Sequence, residues 1–189
     1  MMTQNTRFAV LLSVLLSLTF AFRVQAITEY RAQWADAFHD GYLSSGQVTT
    51  MMNNVRSGNL NVIIPEVRVY SDAYFNPTTS YYPNLGGTIV SDGTLIACDL
   101  NSDPEPRKYT SFDPLATVIQ QAHDTTGGKQ RFEVWPWLVS FRTGATMRTA
   151  HPEWLTQTRD GTVVTGDFDP GHPGVQQQLY NVCMDIIDH

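Results

Sequence analysis

The acidic side chains able to take part in bond cleavage stand at or near the ends of apolar runs. Asp36 follows the YRAQWA stretch, Glu66 and Asp72 surround the end of NVIIPEVRVY, and Glu133 lies within RFEVWPWLV. Breaking a glycosidic bond generally takes two carboxyls about 5–9.5 Å apart, one protonating the leaving oxygen and one acting as nucleophile or base. Spacing in one sequence does not pair carboxyls from different strands, and each has a structural alternative: Asp72 as a loop cap, Glu133 as a solvated or ion-paired group. Arg68 and Arg142 each stand just beyond an apolar run. Their planar forks suit a sugar hydroxyl or a carboxylate, and equally a salt bridge to Asp72 or Glu66. Trp34, Trp135 and Trp137 are amphipathic plates on which sugar rings stack. Trp34 reads first as core; Trp135 and Trp137 read as ligand-facing, with Tyr74 a further candidate contact from an aromatic-rich stretch.

Other chemistries find less support. No Gly-x-Gly-x-x-Gly follows the first strand, and neither a phosphate-binding Gly-x-x-x-x-Gly-Lys-Ser/Thr nor a Gly-x-Ser-x-Gly elbow occurs. Asp167, Asp169 and His172 are close in sequence but lack the spacing of a calcium loop, and Asp169-Pro170-Gly171 reads as a turn into a proline-started helix. His123 and His151 have no second ligand four residues on, and His123 is placed to favour a helix C-terminal dipole. No metal and no cofactor are expected.

The elements that must position these groups alternate. Tyr30, Ala32 and Trp34 alternate with Arg31 and Gln33 in a first strand over 28–35. Ser45-Gly46 opens a helix with Val48, Met51, Met52 and Val55 on its buried face and Gly58 at its end. The Val62-Ile63-Ile64 run over 60–67 fits a strand buried on both faces of a parallel sheet. The next helix has Asp113 as N-cap, Pro114 at its first position, Leu115, Val118, Ile119 and Ala122 on one stripe, and Gly127-Gly128 as its left-handed stop. A third strand, RFEVWPWLV, is ended by Pro136. Arg68 to Ser111 is a loop of about 40 residues, far beyond the usual length, whose aromatics favour an ordered excursion. Thr143 to Gly166 is a second long connection with a turn at Thr158 to Gly161. Pro173 to Asp188 is a helix with Val175, Leu179, Val182, Cys183, Ile186 and Ile187 on one face.

The blocks EYRAQW, NVIIPEVRVYSDAYF, FDPLATVIQQAH, FEVWPWLVSFR, HPEW and FDPGHPGVQQQLYNVCMDII occur in an order that resembles the glycosyl-hydrolase-like family 10, a (β/α)8-barrel family of bacterial envelope and secreted proteins. The resemblance implies an α/β fold in which parallel βαβ units form a partial (β/α)8 barrel, about three of eight units. It also implies a glycoside-hydrolase-like protein acting on a polysaccharide such as a cell-wall glycan. Asp72 matches an acidic position of the family and is the candidate catalytic residue, while Arg68 and Arg142 match family arginines and join Tyr74, Trp135 and Trp137 as candidate substrate contacts. The family tends to have a histidine where this chain has Trp135. The acidic pair on the family's fourth strand falls beyond His189. The expectation is therefore an N-terminal portion, inactive on its own, or a non-catalytic carbohydrate-binding or interaction module. A three-strand parallel sheet would also leave an open edge and half-covered faces.

Residues 1–26 read as a secretory signal, with Arg7 in its charged start, an apolar core from Phe8 to Phe22 and Val24-Gln25-Ala26 at a cleavage point. That core of about 15 residues is short for a bilayer span of roughly 20. Export to the periplasm or medium is expected, with membrane contact only through an uncleaved signal. Cleavage removes Arg7 and Arg23 and no acid, so two of 12 basic residues go and 10 remain against 18 acidic ones, a net −8. Such a charge disfavours nucleic acid and anionic surfaces and leaves neutral or cationic glycans as partners. The remaining 163 of 189 residues are enough for one domain but short of the about 250 of a closed (β/α)8 barrel. An exporting compartment would permit a disulfide between Cys98 and Cys183, and they read as two unpaired thiols ahead of a bridge.

Overall fold

The structure is a computed structural model that describes residues 29–37, 39, 41–42, 44–77, 98–99 and 112–189. The signal-like segment and most of the excursion after Arg68 lie outside the described residues. The elements run β1 (Ala32–Ala35), α1 (Ser45–Ser57), β2 (Val62–Arg68), β3 (Asp72–Ala73), β4 (Cys98–Asp99), α2 (Pro114–His123), β5 (Glu133–Val134), β6 (Trp137–Leu138), α3 (Ala145–Ala150), β7 (Leu155–Gln157), β8 (Val163–Phe168) and α4 (Pro173–Asp188). The fold is mixed α/β. β2 is the centre of a four-stranded sheet, with β1 parallel on one side and β5 and β6 parallel on the other. The sheets are not closed among the described residues.

Local chemistry accounts for the helices. Ser44 is extended and accepts the Gln47 N–H at 3.3 Å, and the Gly58 N–H returns to the Asn54 carbonyl at 2.9 Å, so α1 is capped at both ends. Ser44→Ala is expected to lower stability by about 1 kcal/mol, read as a shift in urea midpoint without a change in slope. Asp113 caps α2 through the Ala116 N–H at 3.0 Å, with Pro114 at the first position. α2 ends at His123 rather than at Gly127-Gly128. The Asp124 side chain takes the Thr126 N–H at 2.9 Å and hydroxyl at 2.7 Å, turning the chain first, and the glycines then serve a following 3₁₀ turn with φ of 67° and 79°.

One core lies on a single face of the sheet. Val48, Met52, Val55, Ile63, Val118 and Phe132 form a cluster joining α1 and α2 to the sheet, and Val67, Phe75, Leu115 and Val182 extend it to α4. Because Cβ directions alternate along a strand, Ile63 and Val67 point to this helical layer while Val62, Ile64 and Glu66 point to the other face. Of the residues expected on the buried stripe of α4, Ile187 is instead 72% exposed, and Asp185 is fully buried. Asp185 is held there by His189, whose Nδ1 lies 2.7 Å from its carbonyl.

Three further differences from expectation have local causes. Pro136 splits the third strand into β5 and β6, both paired to β2, because proline cannot donate to a ladder. The excursion after Arg68 contains a short antiparallel ladder, Asp72–Asp99 and Ala73–Cys98. The connection from Thr143 holds α3 and the β7–β8 hairpin, whose loop does lie at Thr158 to Gly161, with Gly161 at φ 85°. Met147, Leu155, Phe168 and Val175 form a separate small core there. A Cβ at Gly174 would sit 2.6 Å from the Trp154 ring, which locks the start of α4 onto the hairpin. Cys183 is a free, half-buried thiol.

Candidate functional site

The register brings the tryptophans together on the face opposite the helix-side core. Trp34 pairs with Ile64 and Trp137 with Glu66, so all four side chains leave the sheet on one side. β1 and β6 flank β2, and the two indoles reach over it to meet edge to face with centroids 4.5 Å apart. Nearer the amino end of β2, Tyr30 and Trp135 meet in a tilted pair at 4.9 Å, and the Trp135 Nε1 donates to Glu133 Oε2 at 2.9 Å. Trp34 is 55% exposed, Tyr30 52% and Trp135 41%, whereas Val62 on the same face is fully buried. Parallel sheets normally have both faces covered. Here, among the described residues, the second face carries a layer of aromatic rings instead.

Carboxyls gather at the carboxyl ends of β1 and β2. Glu66 is 3% exposed, and its Oε2 accepts the Ala37 N–H at 3.1 Å. Burial pushes the Glu66 carboxyl above the usual range against the pull of that N–H, and the charges of Asp36 and Asp72 add to the rise. Asp36 sits in a different environment, with both oxygens on His39 Nδ1 at 2.9 and 3.0 Å. The Tyr42 hydroxyl is buried, donates to the Glu66 carbonyl and is pushed strongly upward, first by that burial. The sign for stability follows. A carboxyl raised in the folded state favours folding while protonated in both states, and the benefit is lost as pH rises through its folded pKa. Glu66→Gln, which keeps an acceptor for Ala37, is expected to unfold at a higher temperature than the parent at pH 8 and at about the same temperature at pH 4. An equal difference at both pH values would contradict the protonation argument.

The predicted site residues are distributed as follows. Asp72 Oδ1 accepts the N–H groups of Val69 and Tyr70 at 2.9 and 3.0 Å, so its visible work is to hold the turn between β2 and β3. Arg68 ends β2 and is 1% exposed. Tyr74 is half-buried and packs against the helix-side core, away from the tryptophan pairs; burial, then Asp72 and Glu66, raise its hydroxyl to about 12. Trp135 and Trp137 lie on the aromatic face. Arg142 is exposed, bridges in antiparallel fashion to Asp167 and places its guanidinium 5.6 Å from the Tyr70 ring centroid, a cation–π contact.

Trp34, Tyr30 and Glu66 complete the site beyond those choices. Trp34 reads as core in the sequence and is the most exposed of the aromatic-face residues. The alternation of Tyr30, Ala32 and Trp34 was the available signal, since it puts both rings on one face. His123 also differs from expectation. Burial, then the charge of Arg131, lower its pKa, and Arg131 Nη2 lies 3.0 Å from its Nε2, so it is a neutral partner of an arginine rather than a cation at a helix end. Among the described residues no three His, Cys, Asp or Glu side chains come together as a metal site. Asp169 Oδ1 takes the Gly171 N–H at 2.8 Å and His172 Nδ1 caps Gly174 at 3.1 Å, which is turn and cap chemistry. No described helix is long and apolar enough to cross a membrane.

Compared with protein-family models and with curated proteins, the sequence matches none.

Proposed function

We propose that this chain recognises a neutral polysaccharide on the aromatic face of its parallel sheet, as an exported glycoside-hydrolase-like protein built from the first units of a (β/α)8-type barrel. The observation that supports this most is the two aromatic pairs, Tyr30–Trp135 and Trp34–Trp137, lying over β2 with no helix among the described residues above them. At about 3.3 Å per residue the pairs are roughly 10 Å apart along the strand, far enough to meet different units of one glycan. Exposed indole and phenol rings supply apolar plates with polar rims, and the net charge of −6 disfavours polyanions. The test is mobility in native gels cast with soluble polysaccharides. Retardation in a neutral polymer such as hydroxyethyl cellulose or glycol chitin, and none in carboxymethyl cellulose, supports the reading; equal mobility in all of them counts against it.

A second reading, catalysis, is favoured by Glu66. A buried carboxyl whose pKa is raised by burial, beside an Asp36 held on His39, has the divided environments that separate an acid from a base. In this reading Glu66 protonates the leaving oxygen and Asp36, steadied by His39, assists from the other side. Release of reducing ends by the purified chain, lost in Glu66→Gln while gel retardation persists, would support it; no release by the parent chain would leave recognition alone.

A further inference from the structure

A cleft of about 690 Å³ lies around the outer edge of β1, between that strand and α1, and Trp34 forms one of its walls. This is the same indole that meets Trp137 on the aromatic face. The volume falls within the range of about 300–1,000 Å³ for small-ligand sites. The amide-bearing residues Gln33, Gln47 and Asn54 line it together with Thr50 and the apolar Met51 and Leu60. Among the described residues its titratable lining is Asp36 with His39, and no described lysine or arginine lines it. Amides offer donor and acceptor together, as vicinal hydroxyls require, and the described lining offers no fixed cation to attract an anionic ligand.

The strand edge itself argues against a peptide in this cleft. In the parallel pair with β2 the Arg31 carbonyl accepts from Val62, so the alternation of the ladder turns the Trp34 carbonyl to the side of β1 away from β2, which no described strand pairs. Gln33 Nε2 caps that carbonyl at 2.7 Å, which blunts the edge against an added strand.

We infer that this cleft is a second sugar subsite, continuous with the aromatic face through Trp34, so that the recognised ligand is an oligomer bent around the β1 edge rather than a single sugar. The inference rests on the proposed glycan reading and adds to it a requirement for chain length. Gly46 provides a clean block, because it lines the cleft and a Cβ there meets nothing within 4 Å. The experiment is calorimetric titration of the full chain with cello- and chito-oligosaccharides of two and six units. The parent is expected to bind a hexamer at least tenfold more tightly than the corresponding dimer. Gly46→Phe, and independently Asn54→Leu, should remove most of that advantage without weakening the dimer, whereas Trp137→Ala should weaken both lengths. Retained hexamer affinity in both cleft variants, alongside loss in Trp137→Ala, would overturn the second subsite and keep the glycan reading. Equal weakening of dimer and hexamer by the cleft variants would also overturn it. Absence of binding by any oligomer would remove the glycan reading and the subsite with it.

Discussion

Trp137→Ala is expected to weaken polysaccharide binding about 30-fold while the protein remains folded. The indole is half-buried against Trp34, and its removal takes away both a stacking plate and the partner that orients the other ring. Loss of the plate and of the ring pair is worth about 2 kcal/mol, and a tenfold change in affinity corresponds to about 1.4 kcal/mol. The same substitution removes the bulk of the cross-strand partner of Glu66. Burial is the largest cause of that carboxyl's raised pKa, so the group should titrate closer to an ordinary glutamate in the variant, as followed by carboxyl carbon resonances. Unchanged affinity with a normally folded variant would show that the ring pair packs the sheet and does not bind.

His189→Ala is expected to cost about 3 kcal/mol near pH 6 and little above pH 9.5. The His189 ring joins three parts of the chain: Nε2 lies 3.3 Å from Asp113 Oδ2 at the cap of α2, Nδ1 lies 2.7 Å from the Asp185 carbonyl in α4, and the ring meets Phe75 at 5.2 Å. The hydrogen bond to Asp113 raises the His189 pKa from 6.5 to about 9 against the opposing effect of burial, with Asp185 adding to the rise. Each pKa unit is worth about 1.4 kcal/mol, which gives the figure of about 3 as an upper value. Because the folded pKa is above the unfolded one, the stabilisation is fully present below 6.5 and is lost as pH rises through about 9. Burial pushes Asp113 upward, but the bonds from His189 and from the N–H groups of Ala116 and Asn76 outweigh it and leave its pKa below 3.8. That part is present above 3.8 and is lost as pH falls through the folded value. Stability should therefore be greatest between about pH 4 and 6.5, measured by urea unfolding across pH. A cost for His189→Ala that does not vary with pH would mean that the ring acts by packing alone.

Much of the helical layer was legible from local signals. The caps at Asp113 and Gly58, the apolar stripes of the first two helices and the Val62-Ile63-Ile64 run each depend on residues close in sequence. The β3–β4 ladder was not legible, since its strands are two residues long and far apart in the chain. The hairpin after α3 was read as a loop because Thr156, Thr165 and Gly166 break its apolar alternation. The site was legible in part for the same reason. Trp135 and Trp137 stand out as amphipathic plates wherever they lie, but a single strand does not say whether its outer face will be covered, so Trp34 reads as core. Glu66 is marked in the sequence only by its place at the end of an apolar run; its burial is a matter of the strands on either side of β2, which one run does not reveal. Tyr74 shows the opposite case, an aromatic in a promising stretch that the turn held by Asp72 directs to the helical side.

The chain contains four tryptophans, and their indole N–H resonances offer the most direct test of the aromatic face. Trp34, Trp135 and Trp137 lie on it, while Trp154 is stacked on His151 at 3.8 Å and packed against Gly174 in the separate hairpin core, an internal control. Titration of labelled protein with a neutral hexasaccharide should shift the first three resonances together and leave Trp154 in place. A saturating glycan that moves Trp154 alone, or none of the four, would contradict recognition on this face.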